Sequence, residues 1–318
     1  MDIIFMGTPV FAVPSLKELI FNDTINIRAV VTQPDRKKGR GQKLTPSPVK
    51  RTAEKFDIPV LQAENVNNES FIKKLNSYKL DFIVVVAFGQ KLSKTILNMP
   101  EYGCINLHAS LLPKYRGASP IHQAVINGDR KTGNTTMYMD EGLDDGDIIY
   151  QQDLEIKKTD TVGSIHDKLA VKGAELIVKT LNDIKNNAAP RIKQDDAEAS
   201  YVHKIDKDIG EINWKDDAVD IFNLVRGVNP WPGAYTYLDG DMLKIWKVEI
   251  IDEEKETKKY EPGSIVTADQ SGGLAVKCGR GLINIKKLQL TCRKKMKTED
   301  FLCGYDLKIG QILGKKDK

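Results

Sequence analysis

Asn106 and His108 stand two residues apart in the run Gly103-Cys104-Ile105-Asn106-Leu107-His108-Ala109-Ser110-Leu111-Leu112-Pro113. In an extended strand that spacing aims both side chains at one face. A carboxamide beside an imidazole suits acyl transfer. The amide N–H can bond an oxygen as it gains negative charge, and the imidazole can act as acid, base or charged stabiliser. The same pair is also common as plain structure, so support must come from elsewhere in the chain. Downstream, Met139-Asp140-Glu141-Gly142-Leu143-Asp144-Asp145-Gly146-Asp147 places five acids in eight residues. The calcium-loop spacing with its central glycine and distal glutamate is absent, so no metal is expected. One carboxylate from this loop could orient His108 and balance its charge.

Positioning these groups falls to the elements around them. Short apolar runs at residues 3–6, 27–31, 82–87 and 104–107 lack alternation, and helix-patterned segments separate them, with Val10, Val13, Leu16, Leu19 and Ile20 as one example. Strands of this kind are buried on both faces, which predicts a doubly wound, mostly parallel α/β sheet. Asn106 and His108 then lie at the carboxyl end of a strand, the edge where open α/β sheets bind ligands. The first strand ends in Gly7-Thr8-Pro9-Val10-Phe11-Ala12, without the second and third glycines of a dinucleotide fingerprint, so no redox cofactor is expected. From Thr161 to about residue 187, Ile165, Leu169, Leu176, Ile177, Leu181 and Ile184 form one stripe of a long amphipathic helix. These elements predict a first domain over residues 1–189. A polar linker is expected over 190–208, and residues 209–318 form a second domain. There a short helix at 218–228 precedes strand-like runs at 234–238, 243–251, 264–268, 274–278 and 282–290. Short strands punctuated by Gly and Asp fit a small β-barrel.

Charge separates the same two parts. The net charge is +4, yet residues 277–318 carry 12 Lys+Arg against 4 Asp+Glu, which leaves the rest of the chain acidic. A second basic segment follows Pro34, with Arg36, Lys37, Lys38, Arg40, Lys43, Lys50 and Arg51 against Asp35 alone. Basic segments on a slightly acidic body suggest a polyanionic partner, and the first part of the segment after Pro34 is expected to be loose until an anion binds it. The four cysteines Cys104, Cys278, Cys292 and Cys303 form no C-x-x-C pair, as expected for reduced structural thiols in a cytoplasmic protein. No apolar run is long enough for a membrane span, and the first strand starts at Asp2, so neither a membrane anchor nor an export segment is expected.

Asn106-x-His108, then Ser110-Leu111-Leu112-Pro113-Lys114-Tyr115-Arg116-Gly117-Ala118-Ser119-Pro120-Ile121, then Leu143-Asp144-x-Gly146 together resemble the 10-formyltetrahydrofolate-dependent formyltransferases. The resemblance implies a Rossmann-like formyltransferase domain with Asn106, His108 and Asp144 as its catalytic set. It also implies 10-formyltetrahydrofolate as formyl donor, no metal, folate contacts from Ser110, Leu111, Leu112 and Pro113, and a pterin ring against Phe88, Gly89, Gln90, Lys91 and Leu92. Along nearly the whole length the likeness is to the family members that act on methionyl-tRNA. It is carried by Met6-Gly7-Thr8-Pro9, the basic segment after Thr32-Gln33-Pro34-Asp35, Val84-Val85-Val86-Ala87-Phe88-Gly89-Gln90, Arg226-Gly227-x-Asn229-Pro230-Trp231-Pro232-Gly233-Ala234 and Lys294-Lys295-Met296. For that branch an OB-like C-terminal barrel is implied, with a monomer and an initiator methionyl-tRNA partner. Its tRNA contacts would come from Arg36, Lys37, Lys38, Arg40 and Lys43, and from Arg293, Lys294, Lys295 and Lys297. Cys292 and Arg293 before those lysines, and Cys303 before Gly304, depart from the mostly small or polar residues expected there. Competing readings keep the chemistry with a sugar-nucleotide amine or water as acceptor, or make the chain a non-catalytic nucleic-acid binder. The last leaves Asn106, His108 and Asp144 unexplained.

Overall fold

The structure, a computed structural model, describes residues 1–39, 41–252 and 259–314. Two compact units divide the chain. The first comprises Met1–Pro120, Lys131–Glu155 and His166–Val202, and the second Ile121–Arg130, Ile156–Ile165 and the chain from His203 onward. The first half runs β1 (Asp2–Gly7), α1 (Ala12–Ile20), β2 (Asn26–Thr32), β3 (Arg36–Lys38), β4 (Lys43–Thr45), α2 (Pro48–Lys55), β5 (Val60–Gln62), α3 (Glu69–Asn76), β6 (Phe82–Val86), α4 (Lys94–Leu97) and β7 (Cys104–His108). After it come β8 (Arg116–Gly117), α5 (Pro120–Ile126), β9 (Lys131–Tyr138), β10 (Ile148–Glu155), α6 (Val162–Lys185) and β11 (Tyr201–Val202).

In the first unit a seven-stranded sheet has the order β10-β9-β7-β6-β1-β2-β5. From β5 to β7 neighbouring strands are parallel, and β9 and β10 continue the sheet antiparallel. Ile3 to Met6 and every residue of β6 and β7 are buried, as the unbroken apolar runs predict for strands covered on both sides. The strand order reverses beside β1, so the carboxyl ends of β1, β6 and β7 open onto the crevice where such sheets take ligands. The apolar stripe expected for the long helix is the buried side of α6.

The linker expected at 190–208 is tied to the first unit as far as Val202. Ile192 and Ile148 exchange backbone hydrogen bonds at 2.8 and 2.9 Å, and β11 pairs in parallel with β8. Backbone pairing holds this polar stretch in place of apolar burial. Its composition therefore reads as a linker while its main chain is not one.

The second unit contains α7 (Ala218–Gly227), β12 (Ala234–Leu238), β13 (Asp241–Asp252), β14 (Ile265–Asp269), β15 (Gly273–Lys277), β16 (Leu282–Leu290), β17 (Met296–Lys297) and α8 (Thr298–Leu302). The sheet order is β12-β13-β16-β15-β14, with β17 beside β16, and all pairs are antiparallel. Residues 311–314 bridge its two edges. Ile265 N donates to Gln311 O at 2.8 Å, Leu313 N to Gly263 O at 2.9 Å, and Gly314 N to Tyr237 O at 2.8 Å. Val225, Leu243, Ile245, Leu274, Val276, Ile283, Ile285 and Leu288 are among the buried side chains of its core.

Candidate active site

Asn106 and His108 are 8% and 7% exposed at the end of β7, on one face as their spacing requires. Asp144 reaches them from the loop between β9 and β10. Asn106 Nδ2 donates to Asp144 Oδ1 at 3.4 Å, and His108 Nδ1 lies 3.6 Å from Asp144 Oδ2. The other ring nitrogen, Nε2, is 2.9 Å from Tyr115 O. A carbonyl only accepts, so Nε2 carries the hydrogen of that bond. Asp144 Oδ2 also accepts the Gly117 amide at 2.9 Å. The loop thus supplies one carboxylate to both β7 side chains.

Local conformation explains how the acidic loop turns inward. Asp144 itself has φ +52°, a left-handed conformation that Asp tolerates better than most residues. At Gly146 a Cβ would fall 1.9 Å from Tyr138 O, so only glycine lets the chain pass there. Next to the site residue, Asp145 has its carboxyl held above the usual range by burial, and then by its hydrogen bond and charge repulsion with Asp140. Cys104, two residues before Asn106, has its thiol pushed up to about 12 by burial, which removes it as a nucleophile at neutral pH.

The loop after β7 is rigidly tied. Ser110 Oγ donates to Lys114 O at 2.6 Å, Thr135 Oγ1 donates to Ser110 O at 2.7 Å, and Leu112 N donates to Thr135 Oγ1 at 3.1 Å. Gln151 Nε2 donates to Leu112 O at 2.7 Å. The Leu112 side chain is buried with Met137 and Ile148, which makes it an anchor of the loop. At the end of β6, Phe88 and Leu92 are core residues, and Gln90 is spent on Val66 N and Ala63 O at 3.0 Å each. Ala87 and Gly89 are exposed, with φ +48° and +87°. This stretch therefore offers backbone rather than side chains to a ligand. Lys91 is exposed beside it.

Comparison with known proteins then fixes the lineage. A family model described as "Formyl transferase" matches residues 1–181, and one described as "Formyl transferase, C-terminal domain" matches residues 204–306. The methionyl-tRNA formyltransferase of Halothermothrix orenii is 57% identical over 99% of this chain and 100% of its own length. That of Clostridium tetani is 47% identical over 98% of this chain and 99% of its own. The chain belongs to the methionyl-tRNA formyltransferase family. Among solved structures, an N-formyltransferase from Helicobacter canadensis in complex with folinic acid and dTDP-3-aminofucose shares the fold, with TM-score 0.66, 20% identity, and coverage of 92% of this chain and 99% of that one. HypX from Aquifex aeolicus in complex with tetrahydrofolic acid does so with TM-score 0.59 and 15% identity over 94% of this chain and 46% of its own.

The basic residues expected to contact tRNA lie apart in sequence from Asn106, His108 and Asp144. Residues 36–38 and 43–45 form a two-stranded hairpin where a loose segment was expected. Its base is held by Asp35, whose carboxylate accepts Lys50 Nζ at 2.9 Å and Gln62 Nε2 at 2.9 Å. Those two bonds, Gln62 first, hold Asp35 below the usual carboxylate range. Arg36 pairs with Glu64 at 2.8 Å across solvent, and Lys37 and Lys43 are exposed. Arg40 and the Lys38 side chain lie outside the described residues. In the second unit Arg293, Lys294, Lys295 and Lys297 are exposed. Lys295 Nζ sits 3.7 Å from the Trp246 ring centroid, and partial burial there, then the charge of Lys287, lowers its ammonium from the ordinary value.

Two contributors escape a reading of the sequence. The tripeptide Tyr115-Arg116-Gly117 touches the site through main-chain groups, which residue type does not announce. Gln194 sits in the polar stretch read as linker, yet it is 6% exposed and bonds the Asp144 loop. Among the described residues no group of three His, Cys, Asp or Glu is placed to hold a metal ion, and no helix is long and apolar enough to cross a membrane.

Proposed function

We propose that this chain transfers the formyl group of 10-formyltetrahydrofolate to the α-amine of methionine esterified to initiator tRNA. The observation that carries the reading is the meeting of Asn106, His108 and Asp144 at the carboxyl edge of β7 in a chain of this family. In the proposed reaction the amine nitrogen attacks the formyl carbon and the formyl oxygen gains negative charge. Asn106 has a second N–H beyond the one given to Asp144, and it donates to that oxygen, while His108, with Nε2 on Tyr115 O and Nδ1 facing Asp144, supports it through the positive charge of its imidazolium form. The bond from the formyl carbon to the folate nitrogen breaks, and a proton lost by the amine passes by way of Asp144 to that nitrogen.

In this reading the folate lies against the fixed Ser110-Leu111-Leu112-Pro113 loop and the exposed backbone of Ala87 and Gly89. Those groups suit the donors and acceptors of a pterin ring. The first unit carries the chemistry. Lys37 and Lys43 of the hairpin, with Arg293, Lys294, Lys295 and Lys297 of the second unit, contact tRNA phosphates. An amino-sugar acceptor would leave this basic hairpin without a task, which is why tRNA is preferred. The test is a side-by-side assay with charged initiator tRNA, charged elongator tRNA and free methionine. Rapid formylation of the first alone is expected. Equal rates on free methionine, or turnover only on an amino-sugar nucleotide, would overturn the assignment.

A further inference from the structure

We propose that Gln194 is a positioning residue that sets the Asp144 carboxylate, and that residues 191–202 act as a strap across the catalytic loop. The inference rests on Asp144 being the catalytic carboxylate. Gln194 Nε2 donates to Asp144 O at 2.8 Å and to Gly146 O at 2.7 Å. Its Oε1 accepts Arg116 Nε at 3.1 Å. The two carbonyls can only accept and the guanidinium can only donate, so these three partners fix the orientation of the amide. Arg116 is 1% exposed. It is anchored in turn by Tyr201 Oη at 3.1 Å and Asp196 Oδ1 at 2.8 Å, both on the strap.

The strap and the site converge on three consecutive residues. Tyr115 O meets His108 Nε2, the Arg116 side chain holds Gln194, and Gly117 N holds Asp144 Oδ2. The strap grips the backbone of residues 115–118 as well. Arg116 N donates to Ser200 O at 2.8 Å, Ala118 N to Val202 O at 3.1 Å, and Tyr115 N to Ser200 Oγ at 2.9 Å. Gly117, at φ +115°, has no room for a side chain, since a Cβ would lie 2.3 Å from Val202 O. Asp144 is held in a left-handed turn that its own sequence only tolerates, and Gln194 clamps that turn from both sides of Asp145. A buried amide with every polar atom spent on the catalytic loop and its neighbour locks the carboxylate against rotation away from His108.

Gln194→Met keeps the volume and removes the bonds, while Gln194→Glu keeps the oxygen toward Arg116 and sets a second oxygen against the two carbonyls. Each is expected to lower kcat about 10²-fold, the scale of a displacement of about 1 Å, with KM for tRNA and folate unchanged. The ring-nitrogen NMR shifts of His108 should move in both. In an Asp144→Asn background the Gln194 substitutions should cost little more, because coupled residues are non-additive. Should Gln194→Met fail to fold, Gln194→Glu alone decides. Unchanged kcat and His108 shifts, or a loss that adds fully to that of Asp144→Asn, would overturn the inference. Full turnover by Asp144→Asn itself would instead show that the underlying assignment of Asp144 has failed.

Discussion

Asp144 faces His108 across 3.6 Å, Oδ2 to Nδ1, and the same oxygen is held by the Gly117 amide at 2.9 Å. The carboxylate is therefore fixed from the protein side before it meets the imidazole. His108→Ala and Asn106→Ala should each lower turnover, by about 10²–10⁴ for the acid–base group and about 10²–10³ for the oxyanion donor. Affinity for tRNA should remain near normal, because neither side chain reaches beyond the buried end of β7. Purified, folded variants assayed for formylation and for tRNA binding give the answer, and near-normal turnover in either removes it from the mechanism.

Asp145 offers a control one residue away. Its carboxyl titrates above its unfolded value, through burial first and then Asp140. A carboxyl raised in the folded state favours folding below the unfolded pKa near 3.8, and loses that advantage as pH rises through the folded value. Asp145 is exposed, so solvent screens its charge and at neutral pH it is at most a small liability. Asp145→Asn should leave turnover intact and leave stability unchanged or slightly raised, within about 0.5 kcal/mol. Well below the unfolded pKa near 3.8, where the carboxyl is protonated in both states, the difference should vanish. Asp144→Asn should instead lose turnover. Thermal unfolding of both variants across pH, with formylation rates, checks the pair, and a greater loss of activity in Asp145→Asn would reverse the choice of carboxylate.

How far the sequence revealed this arrangement depended on whether side chains or main chain did the work. Asn106 and His108 were legible because a strand puts residues two apart on one face, and the unbroken apolar runs announced β1, β6 and β7. From residues alone the acidic loop pointed to one carboxylate without saying which. The resemblance singled out Asp144, and the left-handed turn with its Gly146 shows how that residue is brought inward. The strand β9 was not legible, since Thr132, Asn134, Thr135 and Thr136 are buried polar residues that mimic a surface pattern. Gln194 was hidden for the converse reason: a polar stretch fixed by backbone pairing looks like a linker.

Leu112 distinguishes a pocket lining from an anchor. Its side chain packs with Met137 and Ile148, and its N–H and C=O are held by Thr135 and Gln151. Leu112→Phe should overpack this small cluster at a cost of about 1–3 kcal/mol and shift the loop, so folate affinity falls together with stability. Leu112→Met should be tolerated at under about 1.5 kcal/mol. Unfolding midpoints and folate titrations decide. A Phe variant of full stability that loses folate binding alone would place the side chain in the ligand pocket.

The basic hairpin should act on tRNA affinity rather than on chemistry. Its base is organised by Asp35, Lys50 and Gln62, so Lys37 and Lys43 are presented on a defined scaffold beyond β2, at the carboxyl edge that also carries Asn106 and His108. Replacing either lysine by Ala should weaken initiator tRNA binding and flatten its log–log salt dependence by about 0.7–0.9 for each phosphate left without its lysine. The rate at saturating tRNA should be nearly unchanged. Asp35→Asn should weaken the Lys50 pairing and loosen the hairpin, lowering affinity without touching a phosphate-binding charge. Limited trypsin digestion supplies an independent readout, because cleavage at exposed lysines needs local opening. Initiator tRNA should protect the hairpin lysines, and Asp35→Asn should speed the cut in the free protein. Full formylation by the nicked enzyme, or cleavage at the same rate with and without tRNA, would leave the second unit as the sole tRNA-binding region.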